Sequence, residues 1–313
     1  RNASSKKNFD NRIFLFLFVF EVKIHHQNYK SENIMKLSII ILNYNVTQWL
    51  RNCLLSIEKH VHDIDYEVIV IDNQSPDTSW KELIAVFPQV KFIENSSNEG
   101  FAKANNKAVK TAKGEYILLL NPDTELEGNY MREILNFADA QENLGCLGVR
   151  FHDLQGNFLP ECKRSVPDVF NSFEKLFSPF QSNQSSKKNY YRNDIAETEI
   201  APVEVITGAF LLMKRELYLE IGGLDESYFM YGEDIDLCYT LLKKGYQNWY
   251  YGKHSILHIK GESTVKDEKY LSNFYGAMQI FIEKYYKKQS PLQYQFLKFG
   301  LKVRHFIAKL QLK

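Results

Sequence analysis

The chain contains no apolar run long enough to cross a bilayer as a helix. The run at residues 13–20 falls well short of the roughly 20 residues a span needs. There is no excess of charge either. Lys and Arg number 39 against 38 Asp and Glu, a net of +1, which leaves too little positive charge for a generic nucleic-acid binder. The four cysteines, Cys53, Cys146, Cys162 and Cys238, include no Cys-X-X-Cys pair. Neither a zinc ribbon nor a thioredoxin-type site is indicated, and the four read as reduced thiols of a cytosolic chain. No Gly-X-Gly-X-X-Gly follows the first strand-like run, and no Gly-Lys-Ser/Thr is present. That argues against a dinucleotide enzyme and a P-loop NTPase.

The first methionine is Met35. Residues 1–34 are rich in Asn, Lys, Phe and Ile, and no small-residue cleavage site follows the run at 13–20. The expectation is that translation starts at Met35 and that 1–34 is a non-structural upstream segment. From residue 36, strand and helix patterns alternate. Short β-branched or aliphatic runs at 37–42, 67–71, 90–94 and 116–120 read as buried strands. Helical spacing fills 46–60, 79–87 and 101–112. A βαβαβαβ series with short links implies a parallel sheet with helices on both faces. Beyond it the pattern gives a helix at 127–144 and a strand at 146–151. Residues 208–213 read as a strand, 215–221 as a helix, and 234–244 as a helix ended by Gly245. Short strands follow at 247–250 and 256–259. Residues 153–200, rich in Ser, Asn, Lys and Tyr, read as a variable insert with one or two short helices. The domain plan is therefore an α/β domain over 35–265 carrying that insert, and a helical basic tail over 266–313.

Ligands of a doubly wound sheet bind beyond the carboxyl ends of its strands. Asn43-Tyr44-Asn45 follows the first strand, Asp72-Asn73-Gln74-Ser75 the second and Asn121-Pro122-Asp123-Thr124 the fourth. One such cluster is ordinary turn or cap chemistry. Three on one edge point to a polar ligand.

These stretches, with Asn98-Glu99-Gly100-Phe101, Gly222-Gly223-Leu224-Asp225 and Gly232-Glu233-Asp234-Ile235-Asp236, resemble family 2 glycosyltransferases, nearest their rhamnosyltransferase-like branch. The resemblance spans about residues 36–262. It implies a GT-A fold, a mixed and mostly parallel sheet with helices on both faces. It also implies inverting transfer of a sugar, rhamnose in that branch, from a dTDP- or UDP-linked donor. The acceptor would be a saccharide or a lipid-linked one, in cell-surface polysaccharide synthesis. Mg²⁺ or Mn²⁺ is the implied cofactor, offsetting charge on the departing diphosphate. By that resemblance Asp123 holds the metal or the donor ribose, and His258 completes the metal site. Asp72 accepts from the donor's base, and Asn43, Asn45, Asn73 and Asn121 line the donor pocket. The family's usual Asp-X-Asp is here Asn121-Pro122-Asp123, which leaves one carboxylate. Asp234, opening a helix, is the candidate general base, with its neighbour Glu233 as rival. His254 is the poorer histidine candidate. No Gln-X-X-Arg-Trp is present, so transfer of one or a few sugars is expected rather than processive synthesis.

Two readings of other classes stay open. A nucleotidyltransferase would want a Gly-rich basic loop after the first strand, where Tyr44-Asn45-Val46-Thr47 stands. A sugar-nucleotide-binding module without catalysis draws support from Asn121. Residues 284–313 hold eight Lys or Arg and no Asp or Glu, interleaved with aromatic and aliphatic residues. This is either a basic amphipathic helix for an anionic lipid surface or an ordinary helix packed on the domain. The expected location is cytoplasmic, peripheral on the inner face of a membrane.

Overall fold

The structure is a computed structural model and describes residues 35–166, 190–259 and 267–312. The first half follows the alternation. Strands β1 (Leu37–Asn43), β2 (Tyr66–Asp72), β3 (Lys91–Glu94) and β4 (Tyr116–Leu120) pair in parallel in the order β3-β2-β1-β4. Helices α1 (Thr47–His60), α2 (Glu82–Val86) and α3 (Phe101–Val109) connect them, α2 entered through a 3₁₀ turn at Ser79–Lys81. The strands are apolar on both faces because helices cover both. Ile39, Ile40, Ile41, Ile69, Val70, Ile71 and Leu118 are fully buried.

The second half departs from the simple pattern. After β5 (Thr124–Leu126) come α4 (Met131–Asp139), β6 (Leu144–His152), β7 (Ile200–Val203) and β8 (Phe210–Lys214). Then follow α5 (Arg215–Glu220), α6 (Glu233–Lys243), β9 (Gln247–His258), α7 (Glu268–Tyr286) and α8 (Pro291–Gln311). The sheet continues β4-β8-β6-β9-β5, with β7 also on β9. β8 runs antiparallel to both β4 and β6, and β5 and β7 run antiparallel to β9, while β6 and β9 are parallel. Among the described strands the sheet is thus mixed, with parallel and antiparallel pairings evenly divided.

Two boundaries differ from expectation because of pairing with distant strands. The helix expected at 127–144 is only α4, because Thr124 to Leu126 is drawn into pairing with β9. The two strands expected at 247–250 and 256–259 are one strand, β9. Its register against β6 shifts between Val149 and Arg150, so the apolar alternation breaks where the chain does not. Of the 153–200 insert, the described parts hold a 3₁₀ turn at Pro160–Cys162 and an isolated bridge between Arg164 and Val205; residues 167–189 lie outside the described residues. So do residues 1–34.

Two contacts knit the strand ends to the segment before α6. Gly100 has φ +81°, and a Cβ there would stand 2.4 Å from the Phe229 carbonyl oxygen, so the Asn98-Glu99-Gly100-Phe101 turn needs glycine. The Phe101 amide donates to the same carbonyl at 2.7 Å. No helix among the described residues is long and apolar enough to cross a membrane.

Candidate active site

A cavity of about 1100 Å³ lies beyond the carboxyl ends of β1 and β4. Its polar wall includes Asn121, Asp123, Arg164, Glu233, Asp234 and His258. These residues come from four separate stretches of the chain, and the sheet brings them together.

Asp123 and His258 are joined by strand register. β5 pairs Thr124 with His258, and the Ile259 amide donates to the Asp123 carbonyl at 2.9 Å. The Asp123 carboxylate is buried, and its Oδ1 lies 3.6 Å from His258 Nε2. That distance is too long for a hydrogen bond. Neighbouring ligands of one octahedral ion at about 2.1 Å stand about 3 Å apart, so small side-chain shifts let both residues hold one cation. His258 Nδ1 is buried with no hydrogen-bond partner among the described residues. Those residues contain no cluster of three or more His, Cys, Asp or Glu suited to a metal. Among the described residues the candidate ligands are thus these two, and phosphate oxygens and water would have to complete the set, the usual way Mg²⁺ is bound. His254, by contrast, pairs with Glu133 at 2.8 Å and stacks on Tyr130, and does not line the cavity.

Glu233 and Asp234 open α6. The chain reaches them through two residues in the left-handed region, Tyr231 (φ 72°) and Gly232 (φ 81°), the first of which is strained for a residue with a side chain. Asp234 Oδ2 accepts from Arg164 Nη2 at 2.6 Å and from the Gly208 amide at 3.3 Å. Its Oδ1 accepts from the Ile235 amide at 2.8 Å. Arg164 is partly buried and also donates to the Ile206 carbonyl. The Asp234 charge keeps its guanidinium proton affinity well above the ordinary value despite burial, which works the other way. Glu233 is buried, and its Oε2 has no hydrogen-bond partner among the described residues. Burial first, and the neighbouring Asp234 charge second, push its pKa up from 4.5 to about 8. At neutral pH Glu233 therefore keeps its proton. Asp236 turns away from the cavity, accepting from Lys284 at 2.8 Å and from the Tyr285 hydroxyl at 2.9 Å, which ties α7 to α6.

This proton has a consequence for stability. Below about pH 4.5 Glu233 is protonated in both folded and unfolded chains; between there and about pH 8 only the folded chain keeps it. The folded state binds more protons in that window, so this group's contribution is lost as pH rises through it. The midpoint of thermal unfolding should fall as pH is raised from about 5 to 8.5, and Glu233→Gln should flatten the fall. An unchanged slope in the variant would contradict the assignment.

The donor-side residues are placed differently. Register sets Asn43 beside Asp72 on adjacent strands. Asp72 Oδ1 accepts from Asn43 Nδ2 at 2.7 Å and the Ser75 hydroxyl at 2.6 Å, and Oδ2 from the Ser75 amide at 2.9 Å. Asn73 is likewise consumed, donating to Asn98 and Gly100 and accepting from Asn95 and Glu99. Asn45 (φ 60°) sits in the turn, its amide on the Ser75 hydroxyl. None of Asn43, Asn45, Asp72 and Asn73 lines the cavity, whereas Tyr44 from the same loop does. Sequence reading missed Arg164, which falls in the insert and meets Asp234 only through a tertiary contact 70 positions away. It also missed the apolar wall from α7 and α8, including Tyr275, Met278, Phe281 and Leu297. The aromatic content of the tail was its only signal.

Residues 38–222 match the family model for glycosyl transferase family 2. Among curated relatives, the chain is 26% identical over 227 residues to the N-acetylglucosaminyl-diphospho-decaprenol L-rhamnosyltransferase of Mycobacterium tuberculosis, covering 69% of this chain and 74% of that protein. It is 23% identical over 227 residues to the rhamnosyltransferase WbbL of Escherichia coli, covering 70% and 82%. Among solved structures, the mannosyltransferase PcManGT of Pyrobaculum calidifontis, in complex with GDP-Man and Mn²⁺, shares the fold. Its TM-score is 0.55 at 16% identity, over 87% of this chain and 71% of that one.

Proposed function

The chain belongs to glycosyl transferase family 2 and is a glycosyltransferase, and from that premise we propose an inverting, metal-assisted transfer in the cavity between Asp123 and Asp234. The observation that carries the reading is that one cavity is lined both by Asp123 with His258 and by Asp234 with Glu233. The donor is a nucleotide-diphosphate sugar, dTDP- or UDP-linked. Rhamnose is the sugar the two named relatives favour, and a saccharide or lipid-linked molecule is the acceptor. A divalent ion, Mg²⁺ or Mn²⁺, would supply positive charge to the departing diphosphate when held by Asp123 and His258.

Asp234 is the base. Arg164 and two amides fix its carboxylate at the start of α6. The acceptor hydroxyl attacks the anomeric carbon from the face opposite the diphosphate. As that bond forms, the proton passes to Asp234, and the anomeric C–O bond breaks with its electron pair leaving on the diphosphate. The hydroxyl acidifies as it bonds, so a carboxylate suffices as base. Asn121 lines the cavity as an amide in place of a second carboxylate. Glu233 gives the second reading, favoured by its unpartnered Oε2 and higher proton affinity.

A screen of nucleotide sugars for release of nucleoside diphosphate with and without Mn²⁺ tests the function. Its pH profile tests the second reading: with Glu233 as base, kcat/KM climbs towards about pH 8, where that group ionises, and a profile without that rise removes Glu233 from the role. Donor binding without any release would leave only the binding-module reading standing.

A further inference from the structure

We infer that α8 is a docking helix for an anionic lipid bilayer, and that it holds the catalytic domain at the lipid surface. The inference concerns where the enzyme works and does not depend on which sugar it moves. α8 has two apolar faces. One packs inward: Tyr294, Leu297 and Leu301 are buried against α7 in a small core of their own. The other faces outward: Leu292 is 80% exposed, Phe299 60%, Phe306 64% and Leu310 59%. At about 3.6 residues per turn, positions 292, 299, 306 and 310 fall on one narrow stripe. An exposed aromatic stripe of this kind marks an interaction surface rather than scattered surface residues.

Charge decides what covers it. The same helix carries Lys298, Lys302, Arg304 and Lys309 and no acidic residue. Lys302 and Lys309 are exposed and lie along one flank of the stripe. A second copy of α8 laid against this face would set lysines against lysines. An anionic lipid surface takes the apolar stripe into its headgroup boundary and pairs the flanking lysines with phosphates. Continuity with the site supplies the second argument. Leu297, Leu301 and Arg304 of α8, with Tyr275, Met278 and Phe281 of α7, form a wall of the catalytic cavity. α7 in turn is bound to the catalytic helix α6 through the Lys284–Asp236 ion pair. A helix lying on lipid therefore carries the cavity with it.

The test is sedimentation of the full chain with vesicles of phosphatidylglycerol and phosphatidylcholine against phosphatidylcholine alone. Partition should favour the anionic vesicles by about tenfold or more and fall when salt is raised from about 0.1 M to 0.5 M. The double variant Phe299→Ser, Phe306→Ser should lose about a hundredfold, since each ring withdrawn from lipid is worth about tenfold. Its thermal midpoint should stay put, because both rings are exposed. Lys302→Glu with Lys309→Glu, at exposed positions that folding does not need, should abolish the preference for anionic vesicles. Equal partition of wild type and both variants, or no partition of the wild type, would overturn the inference. So would a lipid-free dimer that the phenylalanine variant dissolves, since the stripe would then belong to a second copy.

Discussion

Replacing Asp234 by Asn is expected to lower kcat by about 10²- to 10⁴-fold, the usual worth of a positioned general base, while leaving affinity for the nucleoside diphosphate nearly unchanged. The expectation follows from where the charge sits. Asp234 faces the cavity, whereas the diphosphate end is assigned to Asp123 and His258, so losing the base should not loosen the donor. Asn keeps the volume and can still accept from Gly208, but it leaves the partly buried Arg164 guanidinium without its counter-charge. Breaking a buried pair from one side costs about 3–5 kcal/mol, so the variant should also melt earlier and must be assayed well below its midpoint. Calorimetric titration with nucleoside diphosphate and Mn²⁺, beside steady-state turnover, separates the two effects. A variant that binds the nucleotide normally yet turns over like wild type would remove Asp234 from the role of base.

Asp123→Asn is expected to cost about 10²- to 10³-fold in kcat, comparable to deleting one fixed electrostatic partner of a developing negative charge. His258→Ala should chiefly raise the Mn²⁺ concentration needed for half-maximal activity, by about tenfold or more. Among the described residues the proposed site has one carboxylate and one imidazole, so neither loss has a described protein ligand to compensate for it. Both are read from a manganese titration of nucleoside diphosphate release, with a chelator as the zero point. Full activity in the chelator, in wild type, would contradict the metal's role however the variants behaved.

Much of this arrangement was legible before the fold was in hand. β1, β2 and β4 announce themselves because strands covered on both faces are continuously apolar, and each ends abruptly in Asn or Asp. The acidic start of α6 was legible for a similar reason: a glycine, two carboxylates and an apolar run in order. What stayed hidden depends on pairing between distant residues. β5 is three residues long and exists because β9 runs beside it. The unbroken length of β9 is set by its partners β6, β5 and β7, none of which is near it in sequence. Asp72 stands at a strand end and read as a donor contact through the family resemblance. That strand register presses it against Asn43 and Ser75, which take both its oxygens, could not be seen from position alone. Arg164 gave no signal, since one arginine in a polar stretch is ordinary until Asp234 is beside it.

The most direct test is a crystal of the protein with Mn²⁺ and a nucleoside diphosphate, with the metal located by its anomalous scattering. The expected result is one manganese held by both Asp123 and His258, its remaining positions filled by diphosphate oxygens and water, in the same cavity that Asp234 lines. A manganese bound elsewhere, with the diphosphate outside that cavity, would contradict the account.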